Sequence, residues 1–182
     1  QSSRYEDTID QLETAESTLS ETDDLLTVTQ SRADELNTER LSEMQDVRIQ
    51  ELRSHLDDMN ELVPSFRTMT EAMITLSEGM VDFTEGQTHY ENEEYSEAEA
   101  AFRSASEDFD AARSTFRAEE ESAPTEIKST FVEMTCYSGA LRDGTTHLAN
   151  ATEAIQNRNR ERAESESQAA NEALNRCDFS SN

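Results

Sequence analysis

Two cysteines, Cys136 and Cys177, and three histidines, His55, His89 and His147, carry the most specific side-chain chemistry in this chain. The polar run from Gln156 to Arg162 interrupts the apolar pattern around it. A helical hairpin turning between Gln156 and Asn157 would set Cys136, 20 residues before the turn, level with Cys177, 20 residues after it. That register predicts a disulfide between them, the alternative being two separate buried thiols, a common state for cysteine. Closing such a loop contributes about 4 kcal/mol in the chain-entropy account. It would also assign the protein to an oxidising compartment.

The histidines offer less. A di-metal carboxylate bundle needs inward Glu-x-x-His pairs, and none of the three histidines has a Glu three residues before it. Glu85 with His89, and Asp143 with His147, stand four apart on a shared helix face, a spacing that chance supplies freely in so acidic a sequence. No G-x-S-x-G elbow, phosphate-binding Gly-rich loop, C-x-x-C pair or H-E-x-x-H helix occurs. Carboxylates abound, but acid–base catalysis requires one whose surroundings shift its pKa. The sequence therefore nominates no catalytic residue, cofactor site or metal ligand, and a non-enzymatic role is expected.

Charge narrows the partners. The chain carries 41 Asp and Glu against 15 Lys and Arg, for a formal charge of -26. Acids recur from Glu6 to Glu172, and Lys128 is the sole lysine. Such a surface repels itself in dilute buffer, whereas molar salt shortens the screening length to about 3 Å. A negative surface nearly free of lysine resembles proteins of halophilic archaea, in which carboxylates keep the chain hydrated in concentrated salt. Duplexes and anionic membranes need clustered cations. The densest group here, Arg158, Arg160 and Arg162, is interleaved with Glu161 and Glu164 and reads as an exposed helix start or turn. Nucleic acid is not expected as a partner. No run of about 18 apolar residues occurs, so direct membrane insertion by this segment is not expected either. The chain opens on Gln1, and removal of a preceding piece such as a signal peptide or anchor is expected. Asn150, Ala151 and Thr152 form an N-glycosylation pattern, a hint of exposure outside the cell.

The elements that must position these groups are helices. Only four glycines and two prolines occur, and residues 1–63 contain neither. Phe66, Met69, Met73, Leu76, Met80, Phe83 and Tyr90 make one stripe with helical spacing; Ala98, Phe102, Ala105, Phe109, Ala112 and Phe116 make the next. A turn is expected near Tyr90, Asn92 and Ser96, and the methionines are expected in the core. Beyond it, Ser122 is placed to cap a helix with Pro124 in its first turn. Ile127, Phe131, Met134, Tyr137 or Ser138, Leu141, Leu148, Ala151 and Ile155 continue the inward face, with a bend expected at Gly139 and Gly144. Ala163, Ala169, Ala170, Ala173 and Leu174 close the chain with a small-residue helix. In the N-terminal third, one helix through residue 62 would span roughly 90 Å, so a break is expected in the 36–40 region. The fold expected is all-α: an antiparallel helical bundle of five or six long helices, with room for a protruding N-terminal coiled coil. Residues 1–63, 64–121 and 122–182 are read as three parts of one structural unit.

Residues 85–105 resemble one tetratricopeptide-type helical repeat. Gly86 stands where that repeat wants a small residue, and Tyr95, Ala98, Phe102 and Ala105 match its aromatic, small, aromatic, small positions. Glu85 replaces an expected apolar residue, the terminal proline is missing, and no copy follows at the 34-residue period. The resemblance implies peptide or protein binding. Together these readings lead to a helical interaction or scaffold module at a halophile's cell surface, with a protein partner or a second copy of the chain. A cytoplasmic location is the alternative to the extracytoplasmic one. The competing role is the extracytoplasmic ligand-sensing domain of a membrane receptor.

Overall fold

A computed structural model describes residues 2–35 and 43–177, which form five α-helices and no strand. They are α1 (Ser2–Asp34), α2 (Glu43–Glu91), α3 (Tyr95–Ser122), α4 (Thr125–Gln156) and α5 (Arg160–Leu174). The fold is the expected all-α bundle. The break expected at 36–40 lies outside the described residues, but α1 ends at Asp34 and α2 lies antiparallel to it. Gln30 donates to Asp57 at 2.9 Å and accepts from Asn60, and the Arg53 guanidinium reaches the Ala33 carbonyl at 2.7 Å.

α2 runs uninterrupted through the 63/64 boundary drawn from the sequence, carrying Pro64 inside it. Proline has no N–H to give the carbonyl one turn back and crowds it. Packing on either side overrides that cost: Val63 and Ser65 are buried, and the Ser65 hydroxyl donates to Glu119 at 2.7 Å, tying α2 to the end of α3. At 1.5 Å per residue the part of α2 before Ser65 projects roughly 30 Å past that point, accompanied by the end of α1.

The α2–α3 and α4–α5 turns close identically. Glu94 N–H bonds to His89 O and Glu93 N–H to Tyr90 O; Asn159 N–H bonds to Ala154 O and Arg158 N–H to Ile155 O. This is the Schellman pattern, whose left-handed residue is usually glycine, yet here it is Glu93 (φ 63°) and Arg158 (φ 55°). The Asn159 side chain then accepts from Arg162 N–H to start α5. Ser122 does not cap α4 as expected: it is the last residue of α3 and donates to the Glu119 carbonyl. Pro124 stands immediately before α4, where the chain turns between the two helices.

Each helix packs antiparallel on its neighbour in sequence, and α2 also touches α4. The main core joins Ala72 and Leu76 of α2, Ala105, Phe109, Ala112 and Phe116 of α3, and Phe131 and Leu141 of α4. Met69, Met73, Met80 and Met134 pack around it, as expected of core methionines. Phe66 and Tyr90, assigned to the same stripe, are instead exposed at its two ends (39% and 41%). Buried hydroxyls fill the rest: Thr70, Ser77, Ser138, Thr145 and Thr152 each donate to the carbonyl four residues back. Satisfied in this way, small polar side chains can line a core without the penalty of an unpaired donor.

α4 is unbroken through Gly139 and Gly144, and the glycines of α2 and α4 have a packing role. They allow close approach. A Cβ on Gly79 would stand 2.8 Å from the Phe109 ring, on Gly86 2.7 Å from the Phe102 ring, and on Gly144 2.6 Å from Leu174.

Candidate functional site

The turns α2–α3 and α4–α5 lie at one end of the bundle, pinned by Gln156, which donates to the Tyr95 carbonyl at 3.1 Å and to Glu99 at 3.0 Å. Between the end of α2 and the start of α5, above α4, runs a two-armed cleft. One arm, about 510 Å³, is lined by Tyr90, Ile155, Arg158, Arg160, Ala163, Glu164 and Ser167. The other, about 250 Å³, passes between Gln87, Tyr90 and Glu91 on one side and Leu148, Ala151, Thr152 and Ser167 on the other, with Phe102 beneath. Tyr90 and Ser167 border both.

Local sequence explains the walls. The Tyr90 ring stacks edge-on with Tyr95 across the turn, centroids 5.7 Å apart, which holds it upright beside the opening. The Schellman turn aims Arg158 over the larger arm. Arg160 is almost fully exposed and bonded to Glu164 at 2.8 Å, while Arg162 is drawn off to Glu153 at 2.8 Å. The three arginines thus occupy an exposed turn and helix start, as expected, and two of them also edge the cleft. An apolar floor and a standing tyrosine make a site for an apolar group, of the size usual for ligand pockets, and its rim carries both signs of charge, Arg158 and Arg160 beside Glu91 and Glu164.

The cysteines lie at the other end of α5. Cys136 of α4 and Cys177 are joined by a disulfide, their Cα atoms 6.1 Å apart. An ion network runs beside it: Arg142 bonds to Asp110 of α3 at 2.9 Å and to Asp143 at 2.6 Å, and Arg176 bonds to Asp143 at 2.8 Å. Hydrogen bonding to Asp110 and Asp143 pushes the Arg142 pKa up. Bond and network together staple the end of α5 to α4 and α3, which is a structural rather than a reactive arrangement.

The four-apart histidine pairs do not form. His89 bonds to Glu94 across the turn at 2.6 Å and His147 to Glu166 of α5 at 2.7 Å, while Asp143 is committed to arginines. His55 is exposed on α2. Among the described residues no group of three or more His, Cys, Asp or Glu is arranged to hold a metal. Apart from Asp143 in that network, one carboxyl is perturbed: Asp108 of α3 rises to about 6, chiefly through burial and then through repulsion from Asp82, Glu78 and Glu107. It sits against Gly79 and is not among the residues that line the cleft. In the glycosylation pattern Thr152 is buried and bonded to the Leu148 carbonyl within α4, so this helix does not present the pattern as a surface loop would.

Sequence reasoning named Tyr90, Ala151, Ile155 and Ala163 as core positions and missed the cleft they border. Its available signal was Ser167, a polar residue four positions beyond Ala163 where the preceding hairpin carries Phe102. Among the described residues no helix is long and apolar enough to cross a membrane. No protein family, no characterised protein and no solved structure matches the chain.

Proposed function

We propose that this chain is a non-enzymatic helical interaction module, working in high salt outside the cytoplasm and holding a protein partner in the cleft between α2 and α5. The observation that carries the reading is the cleft itself: a large aromatic, Tyr90, stands exposed over an apolar floor, with Arg158 and Arg160 at the rim. Tyrosine and arginine are the residues most enriched where partners bind tightly. The likeness of residues 85–105 to a tetratricopeptide-type hairpin agrees with peptide binding, since Gly86, Tyr95 and Phe102 all stand at or near the cleft. The disulfide agrees with an oxidising location, and the charge of -26 with a halophile.

Affinity capture in molar salt, with Tyr90→Glu alongside, tests the binding site. A defined partner recovered by the native chain and lost by the variant supports the module; retention by Tyr90→Glu overturns the cleft as its seat. Helical circular dichroism followed from molar to dilute salt tests the habitat: self-repulsion should loosen the bundle as salt falls, and a melting temperature indifferent to salt would contradict a halophile. The receptor reading draws on the same cleft, whose 510 Å³ arm would hold a small ligand. A small molecule competing with the captured partner would favour it.

A further inference from the structure

The two hairpins α2–α3 and α4–α5 carry related sequences 65 positions apart. α2 ends at Glu91 and α4 at Gln156; α3 starts at Tyr95 and α5 at Arg160. At the same offset Phe66, Met69, Leu76 and Gly79 recur as Phe131, Met134, Leu141 and Gly144, Asn92 as Asn157, and Ala98 and Ala105 as Ala163 and Ala170. The structures agree independently. Both left-handed residues, Glu93 and Arg158, fall at this offset, and so do the two glycine contacts, Gly79 with Phe109 and Gly144 with Leu174. Sequence periodicity and backbone geometry coincide as they do in duplicated helical units, which stack to share a core.

The duplication shows what is missing. In the first hairpin Phe102 fills a socket made by Gly86. The equivalent pair in the second hairpin is Ser167 and Ala151, and both line the cleft. The rim differs as well: Glu93 and Tyr95 are replaced by Arg158 and Arg160. Arg160 is held by Glu164, but among the described residues the Arg158 side chain has no hydrogen bond or ion pair.

We propose that the cleft is the vacated aromatic seat of the second hairpin, and that a protein segment fills it with a phenylalanine or tyrosine ring while an adjacent carboxylate of that segment engages Arg158. The inference rests on the interaction-module reading and names its partner's chemistry. A segment suits the site better than a free aromatic acid, because the cleft continues from the seat at Ser167 into a second arm at the turns. A carboxylate beside the ring suits it because, with Glu164 taken up by Arg160, Arg158 is the lining cation left without a side-chain partner among the described residues, and a guanidinium can grip a carboxylate through two hydrogen bonds.

The test uses the whole disulfide-bonded chain, isotope-labelled for nuclear magnetic resonance, at the lowest salt that holds its fold. The probes are acetyl-Phe-Asp-amide, acetyl-Ala-Asp-amide, acetyl-Phe-Lys-amide and phenylacetate. Expected are saturable shifts at Tyr90, Ile155 and Ser167 with the first probe, weakened at least about tenfold when ring or carboxylate is removed, and weaker binding of phenylacetate. Ser167→Phe should close the seat with the chain's own ring, abolish binding and raise Tm. Arg158→Ala, at an exposed turn, should leave the fold intact and erase the preference for Phe-Asp over Phe-Lys. Equal binding of the Ala-Asp probe, or Ser167→Phe binding as the native chain does, overturns the seat; phenylacetate binding as tightly as the peptide overturns a protein source. A partner lost with Tyr90→Glu but kept with Ser167→Phe leaves the module standing and sinks this inference. Seat-specific peptide binding without any partner that needs the cleft does the reverse.

Discussion

The two ends of α2 are packed by different means. Past Ser65, α2 lies against α3 through whole aromatic rings, with Phe109 and Phe116 fully buried and Phe131 joining them from α4. Before Ser65 it packs on α1, and among the described residues the cluster there consists of Leu26, Ala33, Leu56 and Val63. Leu25, Val28, Leu52 and Met59 are left exposed around it. A pair of helices with one apolar row between them has little area to remove from water, and stability scales with that area. Local opening should therefore begin in the projecting hairpin, while α3 and α4 open only with the whole molecule.

Core truncations break or sharpen this contrast most strongly. Phe109→Ala should cost about 3–5 kcal/mol and lower the global transition, and Leu56→Ala about 2–3 kcal/mol, felt mainly as faster amide hydrogen exchange in α1 and the first half of α2. Exposed Glu107→Gln should stay within about 0.5 kcal/mol. Chemical denaturation with hydrogen exchange reads all three. Equal, global losses from Phe109→Ala and Leu56→Ala would mean that the two regions form a single cooperative unit.

Next comes the disulfide, which fastens the far end of α5 covalently, whereas the described end of α1 is held only by hydrogen bonds and an ion pair from α2, chiefly those of Arg53. The bond closes a span of 41 residues, for which the chain-entropy account gives about 4 kcal/mol; with the ion network around Asp143 retained, the loss on Cys136→Ala/Cys177→Ala should reach about 3 kcal/mol. Thermal melts of native and variant chains, with and without reductant, measure it. A native chain whose Tm ignores reductant, with both thiols shown free, would remove the constraint from the account.

Much of this was legible in the sequence because helical packing between neighbours is local. All six residues of the Ala98–Phe116 stripe are buried, and hairpin register alone brought Cys136 and Cys177 together. Legibility failed where a residue's meaning depends on the facing helix. Gly144 reads as a helix weakener until Leu174 is placed against it, and Pro64 reads as a boundary until Ser65 is seen bonded to α3. Tyr90 continues an apolar stripe, but the helix that would cover it is not there. The cleft belongs to no single segment, since α2, α4 and α5 each contribute a wall.

The glycine sockets supply a smaller contrast between the two hairpins. Alanine favours a helix over glycine by about 1 kcal/mol, while overpacking costs about 1–3 kcal/mol. Against Gly79 stands the rigid Phe109 ring, and against Gly144 the side chain of Leu174 near the end of a short helix. Gly79→Ala should therefore lose about 2 kcal/mol net, and Gly144→Ala about 1 kcal/mol or less. Denaturation midpoints decide the order, and a stabilised Gly79→Ala would show that α2 and α3 can move apart freely.

A pH-dependent effect of similar size compares the acids of the same two hairpins. Burial tends to raise Asp143, but hydrogen bonds from Arg142 and Arg176 outweigh it and hold its pKa below the usual range. Asp108 has no such partners: burial first, and then Asp82, Glu78 and Glu107, lift it from 3.8 to about 6. Because its folded pKa lies above the unfolded one, Asp108 binds its proton more tightly in the fold. Its contribution is fully present below about pH 3.8 and is lost as pH rises through about 6. At pH 7 the ionised carboxylate therefore destabilises α2 against α3, and Asp108→Asn should relieve about 1 kcal/mol, well under the full linkage value because much of the group faces solvent. At pH 3.5 the relief should vanish. Molar salt, with a screening length of about 3 Å, should remove the part due to neighbouring acids and leave the part due to burial. Paired melts of native and Asp108→Asn chains at pH 3.5 and pH 7, in low and molar salt, separate the two causes. A relief equal at both pH values would mean that the substitution acts through packing, whereas one abolished by salt would assign the whole shift to Asp82, Glu78 and Glu107.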